Sequence, residues 1–181
     1  MRFQFEPAPP AGKLTRKQTK AAFERHHLLA KGTHSGGDWE RMGEMYAEEA
    51  SYFDAFYGWI HGREAITRWL HDSMKGLESW SYPVQWVAID EGRVVVHWLN
   101  RLPGGRPDGT PYEFPGLSAI TFNDEGKVIR QIDLYDGIET LETVFEAKLG
   151  PVGRALRQAL GVVGPAMRES TRAFYRLFGR K

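Results

Sequence analysis

Apolar positions recur at helical spacing in the first third of the chain, at a spacing of two through its middle, and at helical spacing again near its end. From Thr15 to about Ala30 an inner stripe of Ala22, Phe23, His26 or His27, and Leu29-Ala30 predicts a helix, with Thr15 placed to cap it. KGTHSGG reads as a loop, and Asp38 opens a second helix with Trp39, Met42, Met45 and Tyr46 at core spacing. The stretch ASYFDAFYGWIHGREAITRWL, Ala50 to Leu70, then organises the rest. Tyr52 and Asp54 alternate with Ser51 and Phe53, so an extended backbone sends both polar groups to one face. Gly58 and Gly62 permit a tight loop, and Arg63 opens an amphipathic helix with Ile66, Trp69 and Leu70 inward.

Beyond Lys75-Gly76 the period becomes two. Strands are predicted over Trp80–Ile89, Arg93–Leu102, Tyr112–Phe122 and Lys127–Tyr135. Their turns are Glu91-Gly92, Pro103-Gly104-Gly105 and Asn123-Asp124-Glu125-Gly126. Short turns without a βαβ unit predict an antiparallel meander, and no glycine-rich phosphate loop is present. After Asp136-Gly137 a helical pattern returns at Ile138, Leu141, Val144-Phe145 and Leu149, and Gly150-Pro151 breaks it. A short Arg154–Leu160 helix and an amphipathic Ala166–Phe178 helix, striped by Met167, Thr171, Phe174 and Phe178, are predicted to follow. The expected class is α+β: helices packed on a strongly curved antiparallel sheet around one deep apolar pocket. The expected organisation is a disordered arm over 1–14 with Pro7, Pro9 and Pro10, a folded domain over 15–149, and a basic helical extension over 150–181.

Composition narrows the chemistry. Hydrophobic residues make up 41% and charged residues 26% of 181, ordinary for a globular chain. Aromatic content of 13%, with six Trp, suits a pocket walled by flat apolar surface. The absence of cysteine excludes disulfides, thiolate nucleophiles and thiolate metal sites. The first residues lack the apolar run of a secretory signal and no segment is long enough to span a bilayer, so a cytoplasmic location is expected. Net charge is +1 but uneven: Gly150 to Lys181 carries seven basic residues and one acid, a net of +6 against −5 for the remainder. That tail is expected either to pack on the domain or a dimer mate, or to meet a membrane surface or partner. It lacks the pattern that nucleic-acid binding requires.

The titratable candidates converge on one space if the strand faces are phased alike. Val95, His97, Leu99 and Arg101 share a face, and Ile129, Gln131, Asp133 and Tyr135 share another. With both faces turned to the pocket, His97 and Asp133 join Asp54 and Tyr52 among aromatics, where carboxyl and imidazole pKa values are driven apart. Structural roles compete with this reading, Asp54 as a loop cap and His97–Asp133 as a satisfied buried pair. His26, His27 and His34 show no metal-binding motif, and no metal or other cofactor is expected.

Gly37-Asp38-Trp39 followed by MYAEEASYFDAFYGWIHGREAI resembles the SnoaL-like branch of the nuclear transport factor 2-like superfamily, over roughly residues 17 to 146. The resemblance implies a cofactor-independent acid/base enzyme for a small apolar carbonyl or hydroxyl compound, steroid-, polyketide- or terpenoid-like. Isomerase, cyclase or dehydratase (lyase) chemistry is implied first, with epoxide hydrolysis or non-catalytic binding as alternatives. Asp54 falls where ketosteroid-isomerase-like members place a base. Asp133 falls where hydrolases and SnoaL-type cyclases place an acid/base aspartate, and His97 where hydrolases have a second one. Tyr52 and Asp54 are similar to the Tyr-x-Asn that holds a water in limonene-epoxide-hydrolase-like members. Val95 stands where those hydrolases use arginine, which counts against that reaction. The first helix offers no tyrosine for an isomerase-like oxyanion hole, although His26 and His27 are near. The implied pocket would be lined by Phe56, Tyr57, Trp59, Trp69, Trp86, Leu99, Gln131 and Tyr135, and homodimerisation through the outer sheet face is implied as well.

Overall fold

The alternation in the middle of the chain becomes four long strands, preceded by two that the pattern shows less clearly. The computed structural model describes residues 7–34, 39–153 and 155. In chain order it contains α1 (Arg16–His34), α2 (Trp39–Gly43), β1 (Tyr46–Asp54), β2 (Gly58–His61), α3 (Arg63–Met74), β3 (Val84–Asp90), β4 (Arg93–Gly105), β5 (Pro111–Phe122), β6 (Val128–Tyr135) and α4 (Gly137–Leu149). The strands form one curved, unclosed sheet in the order β2-β1-β6-β5-β4-β3, so the protein is α+β as its pattern predicts. One pairing departs from the expected antiparallel scheme. β1 lies parallel to β6, with Tyr52 opposite Gln131 and Asp54 opposite Asp133. The β1–β2 hairpin, the α3 crossover and the β3–β6 meander together return the chain to β1 in the same direction.

The chain divides into two compact units, Met1–Arg101 with Pro115–Tyr135, and Leu102–Phe114 with Asp136–Lys181. In the first, Thr15 and Gln18 form a reciprocal cap on α1. Gln18 N–H donates to Thr15 Oγ1 at 3.3 Å, and Thr15 N–H and O–H donate to Gln18 Oε1 at 2.9 and 2.7 Å. Ala22, Phe23, Met42, Tyr46, Tyr52, Ile66, Leu70, Val94, Val96, Ile120, Phe122 and Val128 form the core. The second helix is shorter than expected. It stops at Gly43, whose missing side chain admits Thr67 of α3, since a Cβ there would meet Thr67 Oγ1 at 2.1 Å. Met45 therefore sits in a turn, and Tyr46 starts β1 rather than continuing a helix. The glycine-rich loop is also a strand: β2 pairs antiparallel with β1, Asp54 facing Gly58, and left-handed glycines (φ 82° and 86°) stand at Gly58 and just beyond the strand at Gly62.

Residues 7–14, expected to be a disordered arm, instead lie against the sheet. Gly12 N–H donates to the Phe122 carbonyl at 2.8 Å, Arg130 donates to the Pro7 carbonyl at 2.7 Å, and Leu14 is buried. A Cβ on Gly12 would overlap the Asn123 backbone, so this strap depends on glycine.

In the second unit, Asp136 caps α4 by accepting from the backbone N–H groups of Ile138 (2.8 Å) and Glu139 (3.1 Å). Glu146 on α4 accepts from Arg106 Nε at 3.1 Å, and the guanidinium lies 5.1 Å from the centre of the Tyr112 ring. Pro151–Gly153 and Ala155 are helical. The remainder of the expected Arg154–Leu160 helix, and all of Ala166–Phe178, lie outside the described residues. No helix among the described residues is long and apolar enough to cross a membrane.

Candidate functional site

A cavity of about 160 Å³ opens in the first unit between the helices and the concave face of the sheet. Helical spacing places Phe23, His26 and His27 of α1 on its wall, with Met42 from α2, and Leu70 and Met74 from α3. Strand alternation contributes Tyr52 from β1, Val84 from β3, Val96 and Trp98 from β4, Ser118 and Ile120 from β5, and Gln131 and Asp133 from β6. Tyr82, in the segment before β3, completes the lining and donates weakly to Met74 Sδ at 3.8 Å.

Asp133 is the one carboxylate in this lining, and its neighbours hold it from three sides. Tyr52 O–H donates to Oδ2. Gln131 Nε2 donates across both oxygens, at 3.0 and 3.2 Å. Ser118, directly opposite on β5, hydrogen-bonds to it as well and itself accepts from Trp98 Nε1 at 2.8 Å. Gln131 cannot flip without loss, because its Oε1 accepts from Tyr46 O–H at 2.8 Å. Burial raises the Asp133 carboxyl from 3.8 to about 6. The hydrogen bonds from Ser118, Tyr52 and Gln131 oppose the rise, and the Asp54 charge adds a little to it. A carboxylate can accept about four donors. With three partners in place, one direction remains for a molecule in the cavity.

The surrounding phenols stay neutral. Tyr46 and Tyr52 are both pushed well above the usual range, by burial first and then by the Asp133 charge. The Tyr52 ring packs on Trp69 at 4.7 Å between centroids and on Tyr46 at 6.4 Å. His26 is neutral too. Burial and the neighbouring His27 lower it from 6.5 to about 4, against a smaller opposing effect of the Gln131 carboxamide.

Of the four residues expected to carry chemistry, the fold brings Asp133 and Tyr52 together in the cavity and separates the other two. Asp54 ends β1 and is bound into the turn after it. Its Oδ1 accepts from the N–H groups of Phe56 (2.8 Å) and Tyr57 (3.0 Å), and its Oδ2 accepts from Tyr135 O–H at 2.6 Å. It lies outside the residues that line this cavity. His97 is placed on the opposite face of β4 from the one expected. Val94, Val96 and Trp98 turn inward, and His97 stands on the outer face opposite Trp86 of β3, the rings 5.6 Å apart.

Among the expected pocket-liners, only Gln131 reaches the cavity wall. Phe56, Tyr57 and Trp86 are 45%, 69% and 51% exposed. Leu99 shares the outer face with His97, and Trp59 lies under the Arg130 guanidinium, 4.5 Å from its ring centre. Tyr135 is held by Asp54, and Trp69 supports Tyr52 from behind. The lining also includes Trp98, Ser118, Tyr82, Phe23 and the two α1 histidines, residues not singled out as pocket-formers. The 23, 26, 27 spacing was the available signal for the last three. Gly116 shapes the wall from beneath. A Cβ there would come within 2.2 Å of the Trp98 ring, so this glycine lets the indole lie flat across β5. Among the described residues no group of three His, Asp or Glu side chains is arranged to hold a metal ion.

A curved open sheet with helices closing an apolar cavity, and a lone carboxylate inside, defines the nuclear transport factor 2-like class of fold. The sequence pattern of the SnoaL-like domain matches residues 20–131, more than half of the chain, and the protein belongs to that family. Solved structures agree at the level of fold. A proposed polyketide cyclase from Xanthomonas campestris pv. campestris superposes with a TM-score of 0.54 at 22% identity, covering 71% of this chain and 98% of that one. An NTF2-like protein from Anabaena variabilis gives 0.53 at 15%, covering 66% and 90%. The epoxide hydrolase/cyclase-like enzyme SalBIII, studied in pyran ring formation in salinomycin, gives 0.53 at 16%, covering 68% and 94%. No curated protein matches the sequence.

Proposed function

We propose that this protein is a cofactor-independent acid/base enzyme that moves a proton on a compact, largely apolar carbonyl or hydroxyl compound, with Asp133 as the base and then the acid. The carrying observation is Asp133 itself: a carboxyl raised to about 6, held in one orientation, with a free direction toward an apolar cavity. A base with a pKa near working pH is largely ionised, yet strong enough to take a proton in the transition state. The step is simple. The carboxylate removes a proton from the carbon next to a carbonyl, the C–H pair becomes a C=C bond, and the carbonyl oxygen takes the negative charge. Return of the same proton to a different carbon isomerises the compound, and attack of the carbanion on a second carbonyl cyclises it.

The cavity size favours the small end of the expected substrates. Sites for drug-sized ligands run to about 300–1,000 Å³, whereas ~150 Å³ accommodates benzene. About 160 Å³ suits one substituted ring, terpenoid-like or a single polyketide ring, better than a tetracyclic steroid. Epoxide hydrolysis is disfavoured, because the lining holds one carboxylate and no arginine to balance and orient a second.

The test follows deuterium entering the α positions of 2-methylcyclohexanone in D2O, by NMR. Exchange that saturates with ketone, is lost in Asp133→Asn, and rises with an apparent pKa of about 6 supports the reading. Saturable binding with no exchange from pH 5 to 9 replaces it with a non-catalytic binding protein. A cytoplasmic homodimer is part of the proposal. Trp86, Val95, Leu117 and Leu134 are exposed apolar side chains on the outer sheet face. Sedimentation showing only monomer at micromolar concentration would remove the dimer.

A further inference from the structure

Proton removal next to a carbonyl leaves charge on oxygen, and the cavity must answer it. The donors in the lining are mostly committed. Tyr52 and Gln131 donate to Asp133, Trp98 donates to Ser118, Ser118 bonds to Asp133, and Tyr82 rests on Met74. His26 differs from all of these. It is 5% exposed and lines the cavity, yet its Nε2 has no hydrogen-bond partner. The Gln131 carboxamide is close enough to influence the ring electrostatically without bonding to Nε2. A buried polar atom left unpaired costs stability unless a ligand satisfies it.

We propose that His26 is the group that binds the substrate's oxygen, its neutral Nε2–H donating to the carbonyl while Asp133 works on the adjacent carbon. The inference rests on the acid/base reading above and adds to it a substrate class: a ketone or enone whose oxygen and acidic C–H lie on neighbouring atoms of one ring. Several features fit this role. His26 sits on α1, across the cavity from the β6 carboxylate, so a ring held between them meets both groups. Gln131 bonds to Asp133 on one side and lies near His26 on the other, which sets the spacing of the two groups to about that of a single carboxamide. The ring is fixed edge-on to Tyr46, 6.1 Å between centroids. A neutral imidazole also suits the task, since a neutral donor strengthens as the oxygen becomes an anion and does not trap the ground state. The pKa near 4 keeps it neutral beside His27, Tyr46, Tyr52 and Asp133, the titratable groups around it.

Two matched probes test the assignment. 2-Methylcyclohexanone and 1-methyl-2-methylenecyclohexane have nearly one shape, and only the first carries an oxygen. The wild type is expected to bind the ketone about fivefold or more tightly, the worth of one neutral hydrogen bond. His26→Leu should erase that preference, and His26→Gln, which keeps a donor, should restore part of it. In the wild type, 15N-labelled histidine should show the Nε2–H proton of His26 moving downfield on adding the ketone and not on adding the alkene. This readout needs no variant to fold. An unmoved His26 resonance under saturating ketone overturns the proposal, as does an oxygen preference that survives in folded His26→Leu. Asp133-dependent exchange with no His26 effect would sink this inference alone. Ketone preference through His26 without any exchange would sink the enzymatic reading and leave His26 as a ligand contact.

Discussion

Replacing Asp133 by Asn removes the charge while nearly preserving the shape, and its effect on stability can be worked from the site. Burial raises the folded-state carboxyl from 3.8 to about 6, so ionising it costs more in the folded protein than in the unfolded chain. Each tenfold change in an ionisation constant corresponds to ~1.4 kcal/mol, which makes the full penalty about 3 kcal/mol. For an acid whose folded pKa is raised, the penalty is absent below pH ~3.8, grows between there and about 6, and is complete above. The amide escapes this penalty at a cost. Its NH2 group opposes the donors of Tyr52 or Gln131, and Gln131 is pinned by Tyr46, so about 1 kcal/mol of hydrogen bonding is lost at every pH. The variant should therefore be about 1 kcal/mol less stable than wild type near pH 3.5 and about 2 kcal/mol more stable at pH 8. Urea unfolding followed by tryptophan fluorescence across that range measures both. A stability difference that stays flat with pH, or that falls as pH rises, would refute the account of Asp133 as a strained buried carboxyl.

Three further perturbations probe the site and the second unit. Tyr52→Phe removes a donor that lowers the Asp133 pKa, so the limb of the exchange profile near pH 6 should move to higher pH, and an unmoved limb would count against direct contact. Gly116→Ala forces the Trp98 ring off β5, with an expected loss of about 1–3 kcal/mol, a changed tryptophan emission and weaker ketone binding. Arg106→Met strands Glu146, whose side chain is 5% exposed, and should cost about 3 kcal/mol by thermal melting, whereas the Arg106→Met, Glu146→Met pair should recover most of it.

What the sequence shows and what it hides divide along one physical line. Element order and class are legible because each helix and strand states its own period. Capping is legible too, as Thr15 with Gln18 and Asp136 with the start of α4 demonstrate. The phase of β6 is also readable, since Gln131 and Asp133 are its polar residues on one face, between Arg130, Ile132 and Leu134 on the other. β1 could not be read in full. Tyr52 and Asp54 do share a strand face, but Asp54 stands where the chain turns, and two backbone N–H groups claim its carboxylate before the cavity can. The hairpin partner β2 was hidden inside a glycine-rich stretch because four residues carry too little alternation to declare a strand.

His97 is the more instructive misplacement. β4 runs Val94, Val95, Val96, His97, Trp98, Leu99, apolar at almost every position, so alternation exists in the backbone and not in the sequence. A shift of one residue exchanges every side chain between the faces, and only polarity on one side could have fixed it. An antiparallel sheet with one wet face keeps that contrast, and a sheet covered on both faces loses it. The outer face here behaves in the second way. Trp86, Val95, Leu117 and Leu134 are apolar, and each is more than a third exposed in the single chain. The same residues that made the inward face of β4 unreadable are therefore the ones that support a second copy packing there. If the outer face is buried in a dimer, His97 and Trp86 belong to that contact and not to the chemistry, which is left to Asp133, Tyr52 and the ring of donors around them.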